Sequence, residues 1–215
     1  TNGAITLTGP VTLTGDVVLD SDRFETGGAN ITVQGTIATA GKNLTLDAGS
    51  TGDLTFQSSV TGGGNLLVEQ GDEQLFQAAV SVDNLTIQQA TTSVTFAALV
   101  TVAQSANINS LGTISQNSTF VVGQDVIYSA VGAITVEDVL TAGNDVTLTS
   151  SASSITLHAP VTATIGNVTA MAGTTFTATQ ALSAGTDVTL TSGGAINIAN
   201  TVTAGDDIAI TSTGG

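Results

Sequence analysis

The segment Thr141-Ala-Gly-Asn-Asp-Val-Thr-Leu-Thr-Ser150 returns almost unchanged as Ser183-Ala-Gly-Thr-Asp-Val-Thr-Leu-Thr-Ser192 and again as Thr203-Ala-Gly-Asp-Asp-Ile-Ala-Ile-Thr-Ser212. Its first apolar position can be followed along the chain at intervals of 27, 22, 19, 21, 20, 20, 22, 20 and 20 residues. That position is held by Val17, Leu44, Leu66, Leu85, Ala106, Val126, Val146, Val168, Val188 and Ile208. A period near 20 residues predicts a solenoid, in which one short unit is stacked many times.

Two more apolar columns run through the repeat at nearly constant offsets. The second column is Ile5, Ile31, Leu54, Val94, Ile114, Ile134, Ile155, Phe176 and Ile196. The third is Val11, Ile37, Val60, Val80, Val100, Phe120, Leu140, Val161, Leu182 and Val202. Each coil is thus predicted to hold three short strands, joined by turns too short for helices.

The predicted fold class is all-β, a right-handed parallel β-helix of about ten coils with three strands each. The right-handed sense is expected because strand twist and crossover geometry favour it. Residues 1–215 are predicted to form a single continuous β-solenoid, with a loop insertion at about 20–29. Phe56, Phe76 and Phe96 follow one another at intervals of 20 and predict an internal aromatic stack. Tyr128 falls in an inward position, so its hydroxyl needs a buried partner.

Charge and composition exclude several classes of partner. The chain has 17 acidic residues against two basic ones, Lys42 and Arg23, and a net charge of −15. Nucleic acid is excluded because its phosphates need cations opposite them, and anionic membranes are disfavoured for the same reason. No apolar run is long enough for membrane insertion. The acidic groups are interpreted as a solubilising surface, with cation binding as the alternative.

A column of polar residues lies immediately before the first strand of each coil. Its members are Asp16, Asn43, Asn65, Asn84, Ser105, Asp125, Asp145, Asn167, Asp187 and Asp207. Such side chains can bond the backbone of their own turn and the equivalent residue of the next coil. The column is therefore interpreted as a structural turn ladder, with metal binding at Asp206 and Asp207 as the alternative.

The longest repeat carries Asp20, Asp22 and Glu25 in its extra loop. Alternating carboxylates can supply the oxygen ligands that Ca²⁺ requires. The glycine-containing twelve-residue calcium loop is missing, however. The favoured interpretation is a solvated loop whose Phe24 covers the core, and a calcium site at Asp20, Asp22 and Glu25 is the alternative. No other cofactor is predicted.

Catalysis is not expected. Catalytic carboxylates and sugar-stacking aromatics on a β-helix need long loops to wall a cleft, and here the predicted turns are short and there is no Trp. We expect uniform, threonine-rich outer faces, with columns such as Thr135, Thr156 and Thr177. A threonine lattice that orders ice and glycosylation are alternatives to simple β-propensity.

The repeats at 141–150, 183–192 and 203–212 resemble those of filamentous-haemagglutinin-type large exoproteins, and the resemblance covers nearly the whole chain. It implies a right-handed parallel β-helix that is secreted across a bacterial outer envelope and serves at the cell surface as an adhesin shaft or surface fibre. The expected function is accordingly structural and extracellular, with host or matrix glycans as partners. A carbohydrate-binding or carbohydrate-cleaving β-helix is the alternative.

The chain ends predict a further partner. Placing Thr1 of one copy after Gly215 of another puts 12 residues between Ile208 and the next Ile5, close to the internal spacing. Exposed strand edges can then pair head to tail without closing. We expect either such end-to-end self-association or flanking repeats in a longer exoprotein.

Overall fold

The computed structural model describes residues 3–22 and 27–214. These residues form an all-β parallel solenoid of 28 strands, and none of them is helical. Every pairing between strands is parallel and joins one coil to the next, as in Val146 with Val168 and Val168 with Val188. The predicted fold class is confirmed, while the right-handed sense stays a prediction.

Three sheets run along the rod, and the first two meet at a corner through which two long strands pass. The first sheet contains Val17–Asp20, Leu44–Asp47, the first halves of Asn65–Phe76 and Asn84–Phe96, Ala106–Ser110, Val126–Ala130, Val146–Ser150, Val168–Ala172, Val188–Ser192 and Ile208–Ser212. The second contains Ile5–Leu7, Ile31–Val33, Leu54–Phe56, the second halves of the two long strands, Thr113–Gln116, Ile134–Val136, Ile155–Leu157, Phe176–Ala178 and Ile196–Ile198.

The third sheet has ten strands. They are Val11–Thr12, Ile37–Ala38, Val60–Thr61, Val80–Val82, Val100–Val102, Phe120–Val122, Leu140–Ala142, Val161–Ala163, Leu182–Ala184 and Val202–Thr203. One turn of the chain separates each strand of this sheet from the next, so ten strands correspond to about nine turns of roughly 20 residues. This number is slightly lower than the ten coils predicted.

The core is a narrow apolar column enclosed by the three sheets. The predicted aromatic stack is confirmed: the ring centroids of Phe56 and Phe76 lie 4.6 Å apart, and those of Phe76 and Phe96 lie 4.9 Å apart. Phe120 and Tyr128 extend the stack by edge-to-face contacts at 5.0 and 5.6 Å. Such contacts add to the free energy of apolar burial.

The second apolar column is interrupted by a polar residue. Gln74 pairs with both Leu54 and Val94 and is 1 % exposed. Its Nε2 donates to the carbonyl oxygen of Gln89 at 3.0 Å. Its Oε1 is buried and has no hydrogen-bond partner among the described residues. Gln74 therefore occupies a core position at the cost of one unsatisfied acceptor.

Candidate functional site: the turn ladder and the corner groove

The turn ladder is a chain of hydrogen bonds parallel to the rod. The backbone N–H of Asn43 donates to Oδ1 of Asp16 at 2.9 Å, and that of Asn167 donates to Oδ1 of Asp145 at 2.7 Å. The N–H groups of Asp187 and Asp207 donate in the same way to the preceding rung at 3.1 and 3.0 Å. The side-chain oxygens of Asp16, Asp145, Asn167 and Asp187 thus hold the backbone of the following coil.

Amide side chains reinforce the ladder between its amino-terminal rungs. Nδ2 of Asn65 donates to Oδ1 of Asn43 at 2.9 Å, and Nδ2 of Asn84 donates to Oδ1 of Asn65 at 2.8 Å. Farther along, Nδ2 of Asn144 donates to Oδ1 of Asp125 at 2.7 Å. Because carboxylates here accept hydrogen bonds from the backbone and from amides, part of their mutual repulsion is offset.

Two of the three residues of the predicted calcium site, Asp20 and Asp22, lie within the described residues. Glu25 lies outside them. The backbone N–H of Asp22 donates to Oδ1 of Asp20 at 2.9 Å. Asp20 pairs in register with Asp47, whose Oδ1 accepts from the N–H of Gly49 at 2.9 Å. Within residues 3–22 and 27–214, no group of three or more acidic, histidine or cysteine residues could hold a metal ion. Asp20 and Asp47 thus act as turn acceptors.

Asp206 and Asp207 lie in the last ladder turn, and both are exposed. Nε2 of His158 lies 3.9 Å from Oε1 of Glu137, a distance at which a protonated imidazole would form an ion pair. Both of these side chains are about half exposed. Pairs of this kind contribute little to stability in water.

A polar network lies inside the core. The hydroxyl of Tyr128 donates to Oε1 of Gln116 at 3.2 Å, and both residues are completely buried. The partner that the sequence predicted for Tyr128 is therefore present. Burial also raises the pKa of the Tyr128 phenol well above 10.0. Gln116 was not predicted, because its position in the repeat is otherwise apolar.

A shallow groove follows the corner between the first and second sheets, where we expected a uniform face. It has a volume of about 300 Å³. We call it the corner groove; it is lined by Gln88, Gln89, Asn109, Ser110, Leu111, Ser129, Ala130, Val131, Thr149 and Ser151. A second hollow of about 280 Å³ shares Thr149 and Ser151 and continues past Met171 to Thr191. The groove thus runs along the rod, although the turns are short.

Small residues at the corner create the groove. Ser110, Ala130, Ser150 and Ala172 succeed one another in register and are nearly buried. The serines also fasten the turn: Oγ of Ser150 donates to the carbonyl oxygen of Gly132 at 2.8 Å. The spacing of these small residues is readable in the sequence, and this signal could have predicted the groove.

Comparisons of this chain with protein-family models, curated proteins and solved structures find no match. Across residues 3–22 and 27–214 there is no helix with the length and apolar character needed to cross a membrane.

Proposed function

We propose that this protein is a non-catalytic structural element, the extracellular β-solenoid shaft of a bacterial adhesin or surface fibre. In a shaft, function resides in length, stiffness and axial pairing. The observation that carries the proposal is the in-register parallel pairing that continues from Val17 through Val126 to Ile208 without a change of direction.

The hydrogen bonds accepted by the acidic residues support a structural role. Asp16, Asp145 and Asp187 accept hydrogen bonds from the backbone of the next coil. A catalytic carboxylate must face a substrate instead. These side chains add axial connections between coils in a solenoid whose stability depends on contacts between neighbouring coils.

The partners proposed for the shaft are further coils of the same kind. A strand in the same parallel register can pair with the backbone groups at the edge of a sheet. We propose that such a covering coil comes either from a second copy, forming a filament head to tail, or from flanking repeats of the same chain.

Removing one coil tests the shaft. Excision of residues 168–187 joins Asn167 to Val188 and keeps the order of rung and strand. We expect this variant to fold and to form a rod shorter by about 4.8 Å, because contacts in a solenoid are made between neighbouring coils. Circular dichroism and small-angle scattering measure both properties. Excision of 168–177 is the control, since it removes half a coil and brings unlike faces into register.

Localisation and assembly need separate experiments. Immunogold labelling of intact cells of the source bacterium should decorate the surface, and labelling confined to the cell interior would refute the extracellular role.

Electron microscopy of the isolated chain distinguishes the two origins of the covering coil. Unbranched filaments would show that the covering coil comes from a second copy. Single rods at high concentration would favour flanking repeats of the same chain.

An activity assay tests the absence of catalysis. Release of reducing ends from a polysaccharide by the isolated chain would refute the non-catalytic assignment.

A further inference from the structure

We propose that the corner groove binds a strand of neutral polysaccharide lying parallel to the rod. Such a site would act independently of the shaft function. The course of the groove, the chemistry of its lining and the absence of charge from that lining support it.

Residues at the same position of successive coils line the groove and its continuation past Met171. Asn109, Ser129, Thr149, Met171 and Thr191 are partners in register. Five such rows span roughly 20 Å at the usual spacing between strands. A linear polymer can therefore lie along several coils and contact one residue of this row on each, which a compact ligand cannot.

The lining offers hydroxyl and amide groups that are free to bind. Two lining side chains are already used: Nδ2 of Asn109 donates to the carbonyl oxygen of Ile87, and Oγ of Ser110 accepts from the N–H of Gly112. The side chains of Gln88, Ser129 and Thr149 make none with other residues that the structure describes. Each of these groups can both donate and accept a hydrogen bond, as the hydroxyls of a sugar require.

Two exposed aliphatic side chains also line the groove. Leu111 is 52 % exposed and Val131 is 43 % exposed, and both lie beside the groove. Sugar rings present C–H groups on their faces and hydroxyls at their edges, so a lining that combines apolar and polar side chains matches them. Exposed apolar side chains that line a groove commonly mark a binding surface.

The uncharged lining of the groove favours a neutral ligand. The chain carries a net charge of −15, but none of the residues lining the groove is ionisable. Acidic polysaccharides would be repelled by the net negative charge of the chain and would find no cation in the groove. Basic polymers would be attracted to the acidic residues elsewhere on the chain in preference to the groove.

An extended peptide fits less well, because it would need free backbone groups to pair as an added strand. The backbone beside the groove is already used between coils. The N–H groups of Leu111, Val131 and Ser151 donate to the carbonyl oxygens of Ala90, Ser110 and Ala130 at 2.7, 3.1 and 2.9 Å. The groove therefore offers side chains to its ligand, and we infer a carbohydrate occupant.

The same chemistry predicts that long strands bind better than short ones. The chain has no Trp, and its single Tyr is buried, so sugars cannot stack on either residue type. Each sugar unit then makes weak contacts. Summed over several coils they give useful affinity, by the reasoning that applies to linked binding sites.

The test uses the whole chain with laminarin, galactomannan and hydroxyethyl cellulose as neutral probes and alginate as the acidic probe, measured by affinity electrophoresis. The groove variant is Ser129→Ala with Thr149→Val, which removes two hydroxyls with little change of shape. The matched control is Ser115→Ala with Thr135→Val, on the outer face of the second sheet. Losing two hydrogen bonds should weaken binding at least about fivefold in the groove variant, while the control should bind like the unaltered chain.

Binding of at least one neutral probe, weakened by the groove substitutions and unaffected by the control, supports the proposal. Equal loss in both variants would move binding away from the groove and overturn it. Binding of alginate alone, or of none of the four probes, would overturn it as well. Stronger binding of the polymer than of its hexasaccharide is also expected, and equal affinity would contradict an extended site.

Discussion

The Tyr128 hydroxyl and the Gln116 side-chain oxygen lie 3.2 Å apart inside the solenoid, although the two residues belong to different sheets. Gln116 also places Nε2 at 3.1, 2.8 and 3.1 Å from the carbonyl oxygens of Ser118, Asp138 and Val139. Its amide therefore connects the aromatic stack of the core to the backbone of the turn before the third sheet. A buried amide with partners on both ends stabilises one arrangement of the surrounding coils.

Replacing Gln116 should therefore cost more stability than removing the tyrosine hydroxyl. Tyr128→Phe leaves one buried acceptor unpaired, a loss of about 1–3 kcal/mol. Gln116→Leu deprives several carbonyl groups and the tyrosine hydroxyl of a partner, and we expect a loss of roughly 3 kcal/mol or more. Urea unfolding of both single variants and of the double variant measures these values. Additive effects of the two substitutions would contradict the direct coupling of the side chains.

Stability should also fall in strongly alkaline solution because of Tyr128. Its pKa in the folded protein lies well above 10.0, since burial penalises the phenolate. The unfolded chain releases this proton near pH 10 and then binds fewer protons than the folded chain. The stabilisation is thus complete below about pH 10 and is lost above it, with a slope of up to about 1.4 kcal/mol per pH unit.

This single tyrosine makes the measurement direct. Near-ultraviolet absorbance should show no phenolate near pH 10 in the folded protein, whereas the urea-unfolded protein should titrate there. The stability slope should disappear in Tyr128→Phe, which is the control. A phenolate signal at pH 10 with unchanged circular dichroism would contradict the burial of the phenol.

The architecture could be predicted from sequence because a solenoid repeats one local pattern many times. Val146, Val188 and Ile208 occupy the first sheet at the predicted column. Gln74 and Gln116 could not be predicted, because a glutamine enters such a column only when a neighbouring coil supplies a partner for its amide. The sequence records the substitution but not the carbonyl oxygen opposite it.

The candidate site was predictable only in part. The positions of Asp145 and Asn167 before their strands were evident, but the direction of their hydrogen bonds depends on the turn geometry. The corner groove arises from the volumes of adjacent side chains in different coils. Ser110, Ala130 and Ser150 are ordinary strand residues when each is considered alone, so only their shared spacing could have indicated the groove.

Calcium should not stabilise the protein. Asp20 and Asp47 already accept backbone hydrogen bonds, so binding the ion would compete with the turn. A ligand that binds the folded state raises the melting temperature as its concentration increases. We expect equal melting temperatures in millimolar Ca²⁺ and in EDTA. A rise that is abolished by Asp20→Asn and Asp22→Asn would establish the calcium site at this loop instead.

Adding a charge within the turn ladder should destabilise the rod, and salt should reduce the effect. Asn167 lies between Asp145 and Asp187, and its Nδ2 donates to Oδ1 of Asp145 at 3.3 Å. Asn167→Asp removes that donor and completes a row of carboxylates on five successive coils, from Asp125 to Asp207. The expected loss is about 1–3 kcal/mol at low ionic strength, and part of it should be recovered in 1 M NaCl, where the Debye length is about 3 Å.

Asn197→Asp is the matched control for this ladder substitution, because it makes the same change of charge on the exposed face of the second sheet. Asn197 pairs with Thr177, so no carboxylate faces it on the preceding coil. Its stability should change by no more than about 0.5 kcal/mol. Thermal unfolding of both variants at low and high salt distinguishes a local ladder effect from a general effect of net charge. If Asn167→Asp is as stable as Asn197→Asp at low salt, the ladder does not hold successive coils together, and backbone pairing and core packing alone stabilise the rod.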